Sequence, residues 1–590
     1  MTRRSFTPVS LAITSLAVVI ALGACTSDRD GFVKTSDLVP PPQEVDAGDC
    51  PLQCSLDGRS VLRSCDGVVV ETCTSTLACG AARCQEPCAA AAADSSSNGC
   101  EFYVQNVAEH DTGCLAAFLV NTSAQPVEVT LAKEGKNLDL SKAIWRAIPG
   151  ESTLIEHAGP IPPGESVVVF VAGPKEGSTS IFTRERIDCP EGVVPATEAA
   201  MLSTTGIGTS VQLTASAPVS AVAIYPFGGA ASTLPAATLL MPVASWAKEQ
   251  MLIDGWETSA AGVPTTQIVA TEDGTEITVL PTNSVQDGAN TRGGPAQLPL
   301  TFSLDKGQHL QLAQRERLSG SFVSSNKPIS TFGGHSCAFI PDQRNYACDM
   351  LWQQIPSLEQ WGHEYVGVGY RPRSKSPHER MPYRIVAAKD GTRLDYDPFI
   401  PPGAPTEMNA GDDVTFPVGV DEAFVVRSQD ANHPIYMAAY MSAGLGGYYG
   451  TPSMGGSGDP DFVNVVPAGQ WQSSYSFFAD TTYQETALVV IRSKHRDKFE
   501  EVSLECAGIL EGWSPIGTRG VYEYVRVDLQ RDGGPGQSFG DKVCQTGLHR
   551  MKSDGPFTAT IWGWAGFASY AYPGGMALRK LVDTPFVPVQ

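Results

Sequence analysis

The chain has 590 residues, with 41 Lys and Arg against 63 Asp and Glu and a formal net charge of −22. So acidic a chain is poorly matched to nucleic acid or to an anionic membrane surface, both of which reward clustered Lys and Arg. A hydrophobic fraction of 42% supports packed cores and argues against general disorder, and 58 Gly with 43 Pro is the turn-rich balance of an all-β chain.

Arg3 and Arg4 precede an apolar stretch from Val9 to Ala21, which runs into Leu22-Gly23-Ala24-Cys25. The stretch is too short to span a bilayer and ends on small residues, so residues 1–24 read as a signal peptide. A Cys placed directly after small residues resembles the lipobox of bacterial lipoproteins. That resemblance implies cleavage before Cys25 and acylation of Cys25, with palmitate-type chains as a stable anchor. Thr26 and Ser27, in place of an Asp, imply passage to the outer membrane, with the body on the cell surface or facing the periplasm. Thr2-Arg3-Arg4-Ser5-Phe6 also resembles a twin-arginine signal. A chain that needs disulfides folds outside the reducing cytoplasm, which favours ordinary unfolded secretion. No later apolar run reaches the ~18 residues of a transmembrane helix. Residues 25–49 follow as the acylated Cys and a polar, Pro-rich tether containing Pro40-Pro41-Pro42.

Eight cysteines crowd residues 50–100: Cys50, Cys54, Cys65, Cys73, Cys79, Cys84, Cys88 and Cys100. So short a segment buries too little apolar surface to fold unaided, and disulfides supply the missing stability. No C-x2-C pair and no His lies within it, so a zinc module is not expected. The other cysteines fall into couples, Cys114 with Cys189, Cys337 with Cys348 and Cys506 with Cys544. Setting Cys25 aside leaves an even number, as a fully oxidised exported protein requires.

From residue 101 short Val, Ile, Thr and Tyr runs alternate with Gly, Pro, Asn and Asp, the pattern of antiparallel strands and turns. The segments repeat with a period of about 100 to 125 residues. One copy opens at Pro242 and Trp246, passes the hairpin Val269-Ala270-Thr271-Glu272-Asp273-Gly274-Thr275 and closes at Asn326-Lys327-Pro328-Ile329. The next replays this from Pro356 and Trp361 through Lys389-Asp390-Gly391-Thr392 to Asn432-His433-Pro434-Ile435, and a third begins at Pro467 and Trp471. A fainter copy precedes them, with Ile161-Pro162-Pro163-Gly164 and Ser216-Ala217-Pro218-Val219. The expected fold is therefore all-β, with repeats over 101–230, 231–345, 346–450 and 451–590. These stand either as β-sandwich-like beads or in a propeller-like arrangement. The opening tryptophans are expected to fill cores.

Several elements resemble the IgGFc-binding protein N-terminal domain family. They are Val269 to Thr275, Leu318-Ser319-Gly320-Ser321 with Asn326-Lys327-Pro328-Ile329, Gly334-His335-Ser336-Cys337, Cys348-Asp349-Met350-Leu351 with Gln354-Ile355-Pro356, and Trp361-Gly362-His363-Glu364-Tyr365. The likeness runs over roughly 100 to 575 and departs at Leu318-Ser319-Gly320, where the family has Asp-Leu-Thr-Gly, and at Met350, where it often has His. It implies an extracellular, non-enzymatic binding role, without implying antibody as the ligand.

Chemistry has few footholds. Gly334-His335-Ser336-Cys337-Ala338 departs from a nucleophile elbow at its last position, and no metalloprotease, Walker or dinucleotide motif occurs. Asp390, Asp395, Asp397, Asp412 and Asp413 match no calcium loop, and Asn121-Thr122-Ser123 fits a glycosylation sequon that a bacterial lipoprotein rarely uses. No catalytic residue, metal or cofactor is expected, and the partners are a membrane through the lipid and an extracellular protein or glycan polymer. The leading reading is adhesion or binding; an envelope or matrix scaffold comes second and a polysaccharide or ester hydrolase third. Tyr448 and Tyr449, in Gly446-Gly447-Tyr448-Tyr449-Gly450, offer flat faces with polar tips and are the candidate ligand contact.

Overall fold

The computed structural model describes residues 50–583 except 56–57, 108–109, 181–185, 201, 233, 343–346, 374–377, 447–450 and 452. The cysteine-rich segment pairs Leu52–Cys54, Ser60–Arg63 and Val69–Thr72 in one small sheet and adds the hairpin Ala78–Gly80/Arg83–Gln85. Helix Pro87–Asp94 starts on a proline whose missing N–H costs nothing at that position, and it ends on Ser95 in the left-handed region. Its Ala90 backbone lies so close to the hairpin that a Cβ at Gly80 would sit 2.3 Å from the Ala90 carbonyl oxygen. Bridges Cys50–Cys65, Cys54–Cys79, Cys73–Cys84 and Cys88–Cys100 tie these pieces together. Cys114–Cys189, Cys337–Cys348 and Cys506–Cys544 join the three couples of the body, and every described cysteine is bridged.

The body is nearly all-β, in curled and mostly antiparallel sheets that repeat along the chain. Each unit is organised by one long strand that changes partners along its length: Val211–Tyr225, Phe322–Ala338 and Gly547–Ala565. In the third unit that strand is broken into Phe424–Ser428 and Ile435–Met441 by the turn at Asp430, and the sheet divides into two of four strands. The far end of each long strand pairs with a short final strand: Ala236–Leu239, Asp349–Ile355, Asp461–Asn464 and Ala568–Pro573. These four inner strands neighbour one another in a closed ring. The sheets therefore hand over after each inner strand, later than the repeat boundaries drawn from sequence. Gly206–Thr209 also departs from its own unit, pairing with Gln308–Ala313 in the second sheet.

The arrangement is a ring of four units about an axis, and the units share cores. One apolar cluster runs through the first, third and fourth units. Each junction carries a contact between rings: Tyr103–Trp246 (centroids 5.8 Å apart), Trp256–Tyr440 (5.0 Å), Tyr370–Trp562 (5.0 Å) and Phe118–Phe478 (4.5 Å).

The repeat is visible at the level of single bonds. Trp246, Trp361 and Trp471 each follow a 3₁₀ turn after a proline, and each indole N–H donates over 3.0 Å to a carbonyl five residues back, on Met241, Pro356 and Val466. All three rings are buried. The Gln360 side-chain amide then donates to the Ser245 carbonyl at 2.7 Å, and that of Gln470 to the Gln360 carbonyl at 2.9 Å. These bonds link the turns of successive units at one end of the axis. The chain's last segment completes the circle there, with Leu578 N–H on Ser95 O (2.6 Å), Ser97 N–H on Met576 O (2.8 Å) and Ala577 N–H on Gln470 O (2.9 Å).

On the axis itself lies Gln353. Its Nε2 is 2.8 Å from Ala237 O, 2.9 Å from Phe462 O and 2.9 Å from Ala571 O, one carbonyl from each of the other three inner strands. The opposite orientation of the amide would set Oε1 against three carbonyl oxygens, so the geometry itself selects the donor.

Candidate functional site

Among the described residues, the end of the axis away from the 3₁₀ turns gathers parts of the four connections that lead into the inner strands: 226–232 with 234–235, 339–342 with 347–348, 442–446 with 451 and 453–460, and 566–567. They interlock: Ala443 N–H donates to Ile340 O (2.9 Å), Gly458 N–H to Ala565 O (2.8 Å) and Phe567 N–H to Gly456 O (2.8 Å). Gly456 has φ +82°, and a Cβ there would stand 2.5 Å from the Phe567 ring. Tyr448 and Tyr449 belong to the longest of these connections but lie outside the described residues. Their flank Leu445 is 37% exposed, an apolar residue presented at this face.

Beneath the loops lies an acidic layer that sequence reading missed. Asp349 and Asp461 begin two neighbouring inner strands, and Asp459 and Asp480 stand close by; all four side chains are buried. Asp349 Oδ1 accepts the Met350 N–H (2.8 Å) and Asp461 Oδ1 the Phe462 N–H (2.7 Å), while Asp480 Oδ1 accepts the N–H and hydroxyl of Thr482 at 2.7 Å each. The second oxygens of Asp349, Asp461 and Asp480, together with Asp459 Oδ1 and the Tyr483 hydroxyl, are buried and make no well-aligned hydrogen bond, although backbone groups of Ser569, Ala571 and Gly444 reach Asp349, Asp461 and Asp459. Burial raises all four carboxyls: Asp480 to about 6, Asp459 to about 8, and Asp349 and Asp461 well above the usual range. In sequence these residues resemble ordinary turn acids; only their position at the start of fully buried strands distinguishes them.

The remaining chemical candidates are taken up by structure. His335 is buried, with Nδ1 accepting the Cys337 N–H (3.0 Å) and Nε2 3.1 Å from Glu257 O, and burial depresses it to about 3. The Ser336 hydroxyl oxygen accepts the Val263 N–H at 3.0 Å, and the histidine that reaches Ser336, His110, contacts its backbone carbonyl at 2.7 Å instead of its hydroxyl. Burial also depresses His363. The acidic residues between 390 and 413 do not converge. Asp390 accepts the Ala410 N–H, Asp412 the Asn409 N–H and Asp397 the Thr518 N–H, while Asp395 pairs with Arg519 and Asp413 with Arg317.

The stretch Leu318-Ser319-Gly320 proves to be a joint between the second and third units. Asp254 Oδ2 accepts the N–H groups of Leu318 (3.1 Å) and Ser319 (3.0 Å), and its Oδ1 pairs with Arg317 Nε at 2.9 Å. Arg384, from the third unit, donates to the Asp254 carbonyl at 2.7 Å and lies over the Trp256 and Tyr440 rings. Gly320 has φ +83°, and a Cβ there would fall 2.1 Å from the Gly411 carbonyl. The motif is thus explained by close approach of backbones at a junction, with no chemistry involved.

The fold is a ring of repeated all-β units whose connections gather on one face. Residues 236–563, more than half of the chain, match the family described as IgGFc binding protein, and the chain belongs to that family, a binding and non-enzymatic one. The matched span begins at the first inner strand, so the cysteine-rich segment and most of the fainter first unit fall outside it, narrower than the roughly 100–575 read from sequence. No curated protein matches the chain.

Proposed function

We propose that the protein is a lipid-anchored, outer-surface binding or adhesion protein that recognises an extracellular protein or glycan polymer and turns nothing over. The family match over 236–563 carries this reading. Supporting it, the residues that suggested a nucleophile or a calcium site are engaged within the fold, and four connections converge on one face. The anchor rests on Leu22-Gly23-Ala24-Cys25, Thr26 and Ser27 after it favour the outer membrane, and a body on the cell surface, in preference to one facing the periplasm, goes with the binding role. Incubating the mature, full-length protein with arrays of extracellular proteins and glycans is the test. Saturable binding to one class supports adhesion. Silence on the arrays, with cross-linking to envelope proteins in cells, refutes it and favours a scaffold.

A further inference from the structure

A cleft of about 190 Å³ opens where the cysteine-rich segment meets the body. One wall is helix Pro87–Asp94, through Ala91 and Ala92, and the other is the first 3₁₀ turn, through Pro242 and Ala244. Ala91 and Pro242 are buried in it, while Ala92 and Ala244 are exposed at its mouth. Gly99 meets Pro242 at the floor, where a Cβ on Gly99 would stand 2.3 Å from the Pro242 Cβ. The Cys88–Cys100 bridge fixes the helix to strand Gly99–Val104, so the cleft is preformed.

Glu101 is the one charged residue in the lining. Its Oε1 accepts a hydrogen bond from Gln212 Nε2 at 2.6 Å, and among the described residues it enters no ion pair. Tyr103 stands beside it as a neutral phenol, because burial pushes its hydroxyl up. The carboxylate charge is therefore left without a cation inside the fold.

Apolar walls with a single uncompensated carboxylate suit a ligand that is apolar along its length and cationic at its tip. A lysine side chain has that form, since its methylenes cover apolar surface while its ammonium reaches an acceptor. The cleft has room for about six waters, enough for such a chain. Arginine fits less well, because its planar fork asks for two free acceptor oxygens side by side and Gln212 already occupies one. A sugar ring would set hydroxyls against alanine and proline. The net charge of −22 draws a cationic partner from a distance.

We propose that this cleft receives a lysine side chain of an extracellular protein partner, its methylenes between the helix and the 3₁₀ turn and its ammonium paired with Glu101. The site lies at the opposite end of the axis from the gathered connections, and it stands whether or not those connections bind a polymer.

Saturation-transfer NMR on the mature, full-length protein tests this with three probes: N-acetyl-lysine methylamide, its norleucine analogue, which keeps the stem and lacks the charge, and glucosamine. The lysine probe should bind saturably in the millimolar range. The norleucine probe should bind about tenfold or more weakly, since it loses a hydrogen bond between charged groups. Glu101→Gln should weaken the lysine probe by a similar factor, and Ala244→Phe, at the exposed mouth, should abolish its signal. Equal binding of the lysine and norleucine probes, or no saturable lysine signal, overturns the proposal, as does lysine binding unchanged in both variants. Glucosamine binding as tightly as the lysine probe, and lost in Glu101→Gln, would assign the cleft to an amino sugar and overturn the protein partner. The comparison of lysine with norleucine uses the parent alone, so it decides even where a variant fails to fold.

Discussion

Replacing Gln353 with Leu tests whether the four units close on one axis. The Gln353 amide faces carbonyls of Ala237, Phe462 and Ala571 at 2.8–2.9 Å, and Leu keeps most of its volume while removing both donated hydrogens. Two N–H groups serve three acceptors, so the substitution leaves two hydrogen bonds' worth of buried carbonyl unsatisfied. Each such loss costs about 1–3 kcal/mol, giving roughly 2–6 kcal/mol for the pair. For a cooperative unit of several hundred residues the unfolding entropy is roughly 1 kcal/mol per kelvin. The melting temperature should then fall by about 2–6 °C. Gln353→Glu should cost more, because a carboxylate facing three carbonyls must ionise against them or hold a proton. Differential scanning calorimetry of the full-length protein reads the effect. A Gln353→Leu melt within 1 °C of the parent, to order of magnitude, would refute the idea that this amide bridges the inner strands.

Other substitutions probe separate links. Gly320→Ala should destabilise severely, because a Cβ would fall 2.1 Å from the Gly411 carbonyl, whereas Gly274→Ala, at φ +62° in open space, should cost only about 1 kcal/mol of backbone strain; denaturant titration of both distinguishes clash from strain. Arg384→Met should cost roughly 3–5 kcal/mol by leaving Asp254 and Asp413 short of a buried partner, read in the same titration. His110, His309 and His549, at about 4, and His335, at about 3, are held neutral by burial. Their folded values lie below the unfolded value, so the stability they contribute is present above pH ~6.5 and is lost as pH falls towards 4; His309→Gln should reduce that loss in a pH series of melts. Cys25→Ser should release the protein from membranes, and mass spectrometry of the parent's N-terminal peptide should show an acylated Cys25; an unmodified Cys25 would make the protein secreted.

Much of the fold was legible because its signals are local. The Asp273-Gly274 and Asp390-Gly391 hairpins carry their own turn chemistry. Thr275 and Thr392 repeat the same hydroxyl bond to the carbonyl three residues back, at 2.7 Å in both units. The tryptophans announced themselves by spacing after proline. The inner strands did not, since Asp349–Ile355 and Ala568–Pro573 are buried on both faces and lack the alternation that marks a half-exposed strand. Each pairs with the strand just before it, but their closure into a ring depends on contacts between units that no short window contains. Gln353 and the acids at 349, 459, 461 and 480 were hidden for the same reason, because a polar residue on an axis has no local signature. The Leu318-Ser319-Gly320 motif was visible as a pattern, but its role as a joint required the position of Gly411.

The most direct test of the central claim is to hold the mature protein with a captured extracellular polymer and follow both partners over time. The account predicts saturable, reversible retention, with the polymer recovered unaltered. Progressive cleavage of the polymer, abolished by Ser336→Ala in a variant that melts normally, would contradict it.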